Sequence, residues 1–469
     1  MMKAWIERQL FRTTEIWIVC VIVLLGSAAS VALAWAVRHQ ISGGPRLGTM
    51  GPIVIKIASI PSDLKRVLTS VFGLADSAED LQSPEERYGT ESGFKFNYSA
   101  GSRPDLKYLL LNRYDGNDKH SVSELWDLRS QEKVWTWNFA GVDALWRSSS
   151  LRTRVPFEVD AQALRFRSAH GFLTENAEVI THGFGAPLIR ADVCSRLGFF
   201  NQDAIHHHSI ERDLDGSFWA PIFIEPKTFD VGDRAFLEDG LKRVSSNGGT
   251  VFKRSVIQIF LANDFGALVY GPGFYRYFDP IHLNDIQPVT DDGRYWKKGD
   301  LFLSLRNQSM VLLYRPSTDK VLWFKQGPWV QQHDVNILND HQISVFNNNA
   351  YPKGPNSAAA DGVRGVNEIM VYDFETDAVT SPWKKGFEKL ELRTIAEGRG
   401  ELVGDEVFVE ESTYGRAVQF DASGNVTWQF INRAADGKVY RLNWSRIVPH
   451  ALGDQVRRAV SEATCDQSG

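Results

Sequence analysis

The sequence predicts an all-β protein: a β-propeller of about six four-stranded blades, preceded by one N-terminal transmembrane helix and a short amphipathic helix. Three observations predict this fold. An uncharged apolar segment lies near the N-terminus, the rest of the chain is rich in aromatic residues and glycine, and one aromatic turn unit recurs along it. Aromatic side chains favour strands, and glycines supply the turns between strands.

The composition is that of a folded protein able to bury a large core. The chain has 469 residues, of which 43% are hydrophobic and 23% charged, and its formal net charge is −5. No basic stripe runs along the sequence, so we expect no nucleic-acid partner. The three cysteines, Cys20, Cys194 and Cys465, are too few for a disulfide framework. A bridge between Cys194 and Cys465 stays open, but we expect both to be unpaired, and the cysteines therefore do not indicate a compartment.

A membrane anchor is predicted at residues 16–37, which read IWIVCVIVLLGSAASVALAWAV without a charge. Such a segment can cross a hydrocarbon core of about 30 Å as a helix. A cleaved signal peptide is the alternative, because 32–34 has the small-x-small pattern of a cleavage site. We favour the uncleaved anchor, since the apolar run is long and a polar segment, 1–15, precedes it. Basic residues flank both sides about equally, so charge does not give the orientation.

Residues 38–94 are predicted to connect the anchor to the main domain. The stretch 41–52 is rich in glycine and proline and reads as a linker. The stretch 59–77 has a capping serine, apolar residues at helical spacing and a terminal glycine, and it predicts a short amphipathic helix that packs on the main domain.

The main domain, 95–469, contains a repeated unit with an aromatic residue, a polar turn and Val-x-Trp or its remnant. The copies lie at 125–137, 313–323 and 420–428, with a weaker one at 372–379. Each copy predicts the outer hairpin of a sheet. The later copies recur about every 50 residues, which fits the blades of a propeller.

Three histidines occupy comparable places in this repeating chain. His208 and His333 each stand seven residues before an aspartate that ends an alternating run, and His282 occupies the same place between them. The inner strands of successive blades line one channel, so these imidazoles are predicted to converge there. The other histidines are expected to be structural, namely His39, His120, His170, His182, His341 and His450.

A metal site is the competing interpretation of the triple histidine at 206–208. Adjacent strand residues point to opposite faces, so at most two of the three share one side, and the spacing matches no known zinc pattern. A carboxylate ligand such as Asp285 or Asp334 keeps a metal-dependent hydrolase open. We predict no metal and no cofactor.

Three segments in this order carry a family resemblance: HHSIERDLDGSFW, IHLNDIQP with GDLFLSLRN, and QQHDVNIL with ISVFNNN. Over roughly residues 105–445 the chain resembles the arylsulfate sulfotransferases, bacterial six-bladed propellers. The resemblance implies transfer of a sulfuryl group from a phenolic sulfate ester to another phenol, without a nucleotide donor. It also implies a periplasmic propeller, here held at the bacterial inner membrane by a single span.

The same resemblance implies roles for individual residues. His333 matches the histidine that becomes sulfated, His208 matches the active-site histidine of an earlier blade, with His207 as its alternative, and Arg306 matches the active-site arginine. His282 and Asn284 match a His-x-Asn element. The residues predicted to bind substrate are His207, Asn307 and Arg399.

These residue types suit sulfuryl transfer. A neutral imidazole is a nucleophile near pH 7 and can carry the group covalently. The guanidinium of Arg306 offers a fixed fork of donors to the sulfate oxygens, and a second histidine can exchange a proton with the phenol oxygen. Asp334 is expected to point to the other strand face. Asp285 departs from the pattern, because a carboxylate beside the site opposes anion binding unless it points away or pairs with arginine.

Further departures keep other functions open. The β-sandwich domain of the bacterial enzymes is missing, and an anchor stands in its place. The alternative is a non-catalytic propeller, a binding or scaffold subunit of an envelope membrane complex with protein partners. Two groups of side chains have two interpretations each. A contact with the channel and a salt-bridged loop are both open for Glu397, Arg399 and Arg416. A phenol pocket and core packing are both open for Trp219, Trp296 and Trp329.

Overall fold

The computed structural model describes residues 15–41, 81–83, 86–149, 163–229, 236–271, 278–351 and 362–465, together with isolated residues between 47 and 60. The chain divides into two compact units, Met1–Ser77 and Ala78–Gly469. Most of the helix predicted at 59–77 lies outside the described residues.

The first unit contains helix α1, Ile16–Ile41, which extends four residues past the predicted anchor. The 24-residue stretch Ile16–His39 is long and apolar enough to cross a membrane, and none of its most apolar part is buried against protein. A signal sequence near the N-terminus would show the same features. The structure therefore supports an apolar N-terminal helix of membrane-spanning length.

The second unit is mostly β. Its described strands are β1 Gly93–Phe96, β2 Tyr108–Asp115, β3 His120–Asp127, β4 Glu132–Asn138, β5 Ala169–Leu173, β6 Val179–His182, β7 Ala186–Ala191, β8 Leu197–His206, β9 Glu211–Arg212, β10 Phe218–Phe223, β11 Asp239–Val244, β12 Thr250–Ser255, β13 Leu283–Pro288, β14 Leu301–Leu305, β15 Met310–Arg315, β16 Lys320–Gln326, β17 His333–Ile337, β18 Gln342–Asn347, β19 Ala350–Tyr351, β20 Gly362–Val363, β21 Glu368–Asp373, β22 Ala378–Thr380, β23 Arg399–Val403, β24 Glu406–Glu411, β25 Arg416–Phe420, β26 Val426–Ile431 and β27 Arg446–Val448. Its described helices are α2 Val142–Arg147, α3 Val256–Ala262, α4 Gly266–Tyr270, α5 Lys384–Lys389 and α6 His450–Glu462.

The strands form antiparallel sheets in a propeller-like arrangement. The separate sheets have the orders β27-β2-β3-β4, β13-β14-β15-β16, β17-β18-β21-β22 and β1-β26-β25-β24-β23. An eight-stranded sheet runs β12-β11-β10-β8-β7-β6-β5, with β9 paired to β10, and β19 pairs with β20. Strand β8 joins the two halves of this sheet through two residue pairs with β10. Among the described strands, hydrogen bonding thus gives four separate blades and one continuous sheet, and it does not confirm a count of six.

The repeated aromatic turns form outer hairpins, as predicted. They connect β3 to β4, β15 to β16, β21 to β22 and β25 to β26. In the last sheet β1 adds one further strand outside β26. Trp137 and Trp428 of these hairpins are fully buried, so the aromatic positions of the repeat fill the space between neighbouring sheets.

The other tryptophans follow the same rule. Trp219, in β10, belongs to a core cluster, and its Nε1 donates to Asp213. Trp296 and Trp329 belong to another cluster, and all three side chains are buried. Core packing, and not a phenol pocket, is therefore their role.

The expectation that Cys194 and Cys465 stay unpaired is wrong. The two form a disulfide with a Cα–Cα distance of 5.4 Å. The bridge ties the turn after β7 to the segment after α6, a helix whose Val456 and Val460 pack in the core beside β2. The pair is separated by 271 residues, and only the closed ring of sheets brings such distant residues together.

Candidate functional site

Four sheets end, opposite their outer hairpin, in β13, β17, β23 and β27, while β5 ends the eight-stranded sheet and β9 pairs with β10 within it. Near the start of each of these strands a residue other than glycine has a left-handed backbone: His170, His208, His282, Gln331, Glu397 and Trp444, with φ between 52° and 67°, and Asp334 inside β17 is a further one, with φ 48°. This conformation costs about 1–2 kcal/mol for a residue with a Cβ. Strain that recurs at one place in a fold is typical of functional sites.

The structure brings the three predicted histidines together. The Nε2 atoms of His208 and His282 lie 3.1 Å apart, and the rings of His208 and His333 are 6.2 Å apart between centroids. One ring nitrogen from each histidine lies within 4.8 Å of the other two. The sequence places these residues 74 and 51 positions apart, so their meeting is a consequence of the circular arrangement of the sheets.

His333 is fully buried and its tautomer is fixed by Asn348. The side-chain NH2 of Asn348 donates to the carbonyl oxygens of Thr394, at 3.3 Å, and Glu397, at 2.7 Å. Its Oδ1 therefore faces His333 and accepts from Nδ1–H at 2.7 Å. This leaves a lone pair on Nε2, an atom without a hydrogen-bond partner among the described residues. Burial, reinforced by Arg306, lowers the pKa of His333, so the ring is neutral near pH 7.

His208 is positioned by a relay from a carboxylate. Nδ1 of His207 lies 2.8 Å from Nδ1 of His208, and Nε2 of His207 lies 3.2 Å from the buried carboxylate of Asp239. The ring of His207 also stacks on Phe223. His207 thus lies one layer behind His208 and orients it. The carbonyl oxygen of His208 bonds to Nε2 of His182 at 2.8 Å, which holds the left-handed turn from the other side.

His282 is the most exposed of the three histidines, with 19% of its side chain accessible. Its Nδ1 bonds to the carboxylate of Asp279. Burial raises the pKa of Asp279, but the adjacent imidazole outweighs burial and the pKa is lowered overall. Asp279 therefore stays ionised and fixes the orientation of this ring through Nδ1. Two nitrogens that face each other at 3.1 Å, as those of His208 and His282 do, require one proton between them.

Arg306 follows β14 in a short 3-10 helix, Arg306–Gln308. Its Nη1 donates to Oδ1 of Asn307 at 2.7 Å and its Nη2 to Oε1 of Gln331 at 2.8 Å. Burial lowers the pKa of Arg306 to about 10, so the group stays charged at neutral pH. Asn307 in turn donates to the carbonyl oxygen of Asp279. Asn307 therefore connects Arg306 to the segment that carries Asp279, the carboxylate that bonds to His282.

Asn284 is fully buried one position beyond Leu283, at an irregularity in the pairing of β13. Its Nδ2 donates to the carbonyl oxygen of Gln332 at 2.7 Å, directly before His333. Its Oδ1 has no partner among the described residues. Asn284 therefore fixes the strand that carries His333.

A second polar layer lies one or two residues further along the same strands. Asp334 accepts from the backbone N–H of Gly400 at 2.8 Å, and its Oδ1 lies 4.0 Å from Nε of Arg399. Burial raises the pKa of Asp334 to about 6, although Arg399 opposes this. Asp285 accepts from the backbone N–H of Val335 at 2.7 Å. Both carboxylates, and the guanidinium of Arg399, thus belong to this layer.

The remaining predicted cations and anions form ion pairs. Oε1 of Glu397 accepts from Arg167 at 2.8 Å, while the backbone carbonyl of Glu397 holds Asn348. Arg416 bonds to Glu411, which accounts for its charge. The salt-bridged interpretation therefore holds for Glu397 and Arg416, and Glu397 in addition supports the site through its backbone.

Several residues near the histidines were not predicted. The ring of His170 lies 3.5 Å from that of Trp444, which is 6.4 Å from His333. Phe184 makes an edge contact with His208 at 5.0 Å. The recurrence of left-handed residues near inner-strand starts marks His170 and Trp444, and it does not mark Phe184. Glycine usually indicates a left-handed position in a sequence, and here histidine, tryptophan and glutamate occupy these positions, so the sequence does not indicate the conformation.

Comparison with known proteins adds one assignment. The family model described as arylsulfotransferase (ASST) matches residues 188–433, a stretch that contains His208, His282, Arg306 and His333. No curated protein matches the chain significantly.

Solved structures with low overall similarity include a nidogen/laminin complex, with 9% identity, a TM-score of 0.41 and coverage of 73% of this chain and 99% of that one. Apo AztD from Citrobacter koseri has 10% identity, a TM-score of 0.32 and coverage of 71% and 96%. Selenomethionine-substituted virginiamycin B lyase from Staphylococcus aureus has 10% identity, a TM-score of 0.31 and coverage of 56% and 69%. Similarities at this level carry no functional argument.

Proposed function

Because the chain belongs to the arylsulfotransferase (ASST) family, we propose that it transfers a sulfuryl group from a phenolic sulfate ester to a phenol-type acceptor through a sulfohistidine at His333. The observation that carries the proposal is the lone pair on Nε2 of His333. That atom is buried, has no partner among the described residues and belongs to a ring whose other nitrogen is committed to Asn348.

In the first step Nε2 of His333 attacks the sulfur of the donor. The N–S bond forms as the S–O bond to the aromatic oxygen breaks, and the bonding electron pair leaves on that oxygen. The ring keeps its Nδ1–H and becomes positively charged, and Oδ1 of Asn348 at 2.7 Å stabilises that charge. The product is a zwitterionic sulfohistidine and a phenolate.

The leaving phenolate takes the proton that His208 and His282 share between their Nε2 atoms. In the second step the same pair accepts a proton from the hydroxyl of the acceptor phenol. The acceptor oxygen attacks sulfur, the N–S bond breaks and its electron pair returns to Nε2 of His333. Protons and electrons therefore balance over the cycle, without a nucleotide or a redox partner.

Arg306 supplies positive charge to the sulfuryl oxygens. The side chain is only 7% exposed, and its Nε has no hydrogen-bond partner in the described part of the chain. In a partly desolvated site a fixed guanidinium stabilises charge on the transferred oxygens more strongly than it would in water. His207, Asn284 and Asn307 support the reacting groups from behind, and Arg399 acts through the second polar layer.

The proposal places the propeller in the periplasm of a bacterium, held by a single span at 16–37. Two observations support this location. Helix α1 is apolar and unburied, and the Cys194–Cys465 disulfide is typical of an oxidising compartment. Protease added to spheroplasts should digest the propeller while cytoplasmic proteins stay intact, and a protected propeller would contradict the location.

We further propose that the eight-stranded sheet comprises two blades, β5–β8 and β9–β12, so that six blades surround the site. The six inner strands, each with its left-handed residue, support this count. The two backbone pairs between β8 and β10 then represent a local junction.

The test is transfer itself. Full-length protein, incubated with 4-nitrophenyl sulfate and then with phenol, should release 4-nitrophenol and form phenyl sulfate, and a peptide containing His333 should gain the mass of one sulfuryl group when the acceptor is omitted. His333→Gln should abolish both signals, whereas His120→Gln, at the turn between β2 and β3, should retain them. Absence of transfer and of adduct over a panel of aryl sulfates would overturn the enzymatic proposal. Co-purification of membrane proteins that is insensitive to His333→Gln would then favour the scaffold.

A further inference from the structure

The three imidazoles are oriented alike. In each ring Nδ1 is occupied by a partner: Asn348 for His333, His207 for His208 and Asp279 for His282. The Nε2 atoms of His208 and His282 face each other, and Nε2 of His333 is buried and unpartnered. Rings that are fixed at one nitrogen and present the other to a shared point are the arrangement of histidine metal ligands, where the outer partner sets the tautomer.

We propose that His208, His282 and His333 bind one divalent first-row metal ion of the Zn²⁺ type through their ring nitrogens. Three nitrogen ligands leave a fourth position for water or an anion.

The distances fit this site with a small adjustment. Zn–N bonds of about 2.0–2.1 Å put the nitrogens of a tetrahedral site about 3.3 Å apart. The His208–His282 separation is 3.1 Å, and the ligand atoms of all three lie within 4.8 Å of one another. A small movement of side chains is therefore enough to close the third contact.

The surrounding charges also permit a cation. The carboxylate of Asp279 touches His282, and that of Asp239 acts on His208 through His207. The opposing charge is Arg306, which is close enough to affect His333 electrostatically. The negative charges near the site, two carboxylates, therefore outnumber the one positive charge of the guanidinium. A metal ion would replace the proton that is needed between the facing Nε2 atoms of His208 and His282.

This site has a consequence that rests on the proposed function. A metal on Nε2 of His333 removes the lone pair that attacks sulfur, so Zn²⁺ should inhibit transfer and a chelator should restore it. Binding of the metal does not itself depend on the chain being a sulfotransferase.

The experiment uses the full chain in detergent, stripped with EDTA and titrated calorimetrically with ZnCl2. We expect one Zn²⁺ per chain, a loss of at least 10-fold in affinity in His282→Ala and His333→Ala, and a loss of about 10–100-fold in Asp279→Asn. The matched control is His341→Ala, because His341 belongs to a second group of side chains, with Asp373 and Glu375, that lie within metal-binding distance. This control should bind as the unmodified chain does.

A second measurement does not depend on the folding of variants. Co²⁺ added to the unmodified chain should give the intense visible bands of a four-coordinate ion, and Zn²⁺ should displace it. The inference is overturned if the unmodified chain binds no Zn²⁺, or if His341→Ala loses binding while His333→Ala keeps it. Transfer without zinc binding would contradict only this inference, and zinc binding without transfer would contradict only the proposed function.

Discussion

Nδ1 of His333 lies 2.7 Å from Oδ1 of Asn348, whose NH2 group is held by the carbonyl oxygens of Thr394 and Glu397. The amide therefore cannot turn without losing two hydrogen bonds. Its orientation imposes one tautomer on the imidazole and directs the lone pair of Nε2 toward the other two histidines. The tautomer of His333, in β17, is thus set by the loop that leads into β23.

Asn348→Ala should lower the rate of transfer about 10–100-fold, because partners that orient a histidine typically contribute that much. The maximal rate should fall while the KM for the donor changes little, since Asn348 is not placed to touch substrate. ¹⁵N NMR of the imidazole should show loss of the Nδ1–H tautomer of His333. The control is Asn349→Ala at the next position, which should retain both rate and tautomer. A normal rate in Asn348→Ala would contradict the orienting role.

Arg306→Lys should reduce kcat/KM for aryl sulfates about 100-fold or more, although the charge is conserved. Lysine lacks the planar fork that donates to Asn307 and Gln331 while presenting a further N–H to the site. Steady-state kinetics with 4-nitrophenyl sulfate measure the change. Arg254→Lys, an outer arginine paired with Asp319, should leave kcat/KM unchanged. If both variants behave alike, Arg306 has no specific part in transfer.

The Cys194–Cys465 bridge should stabilise the propeller by about 2–4 kcal/mol, since it closes a long loop and so restricts the unfolded chain. Replacing both cysteines with serine should lower the urea midpoint, and a reductant should lower that of the unmodified chain in the same way but not that of the double variant. Cys20→Ser, at an exposed position of α1, should change nothing. Equal urea midpoints with and without the bridge would exclude a stabilising role.

The free energy of unfolding should depend on pH through the ionisation of Glu124. This buried carboxylate bonds to Arg113, at 3.0 Å, and to Lys133, at 3.2 Å. Burial raises its pKa, but the two cations and the Trp126 N–H outweigh burial, so the folded-state pKa lies below the ordinary value of 4.5. A lowered pKa means that the ionised group contributes stability above pH 4.5, and that this contribution disappears as pH falls through the folded-state pKa.

Glu124→Gln should therefore cost about 2 kcal/mol near pH 7, because Arg113 loses one of its two carboxylate partners and keeps Asp115. The difference from the unmodified chain should shrink below pH 4.5. Urea unfolding at several pH values measures both free energies. Glu388→Gln, on the exposed surface of α5, is the control and should follow the unmodified chain at every pH. A constant difference between Glu124→Gln and the unmodified chain would show that the pair is not ionised in the way described.

Much of the fold could be predicted because its causes are local. A run without charges must avoid water, so 16–37 indicated a long apolar helix. Aromatic residues around polar turns indicated the outer hairpins, where each side chain packs only against its own and the neighbouring sheet. The number of blades was harder, because the β8–β10 junction depends on backbone hydrogen bonds that any sequence can make.

The site was predicted in part. His208, His282 and His333 were found because each precedes an alternating run in a repeating chain, although Gln331, and not His333, takes the left-handed position near the start of its strand. The partners Asn348, Asp279 and Asp239 were not, since each orients a ring through a contact that sequence spacing does not specify. The places of His170 and Trp444 near His333 were not predicted for a related reason. Both residues have a left-handed backbone, which in a sequence is normally marked by glycine.

The sequence by itself determined the apolar N-terminal helix and the repeated hairpins, because each follows from the solvation or turn preference of neighbouring residues, and it singled out three imidazoles by their places before alternating runs. Only the tertiary structure decided which nitrogen of each ring is free, that Asp285 bonds to the backbone of Val335, and that Cys194 meets Cys465. These are distances between residues far apart in the chain, and they are fixed when the sheets close into a ring and every buried polar group must find a partner.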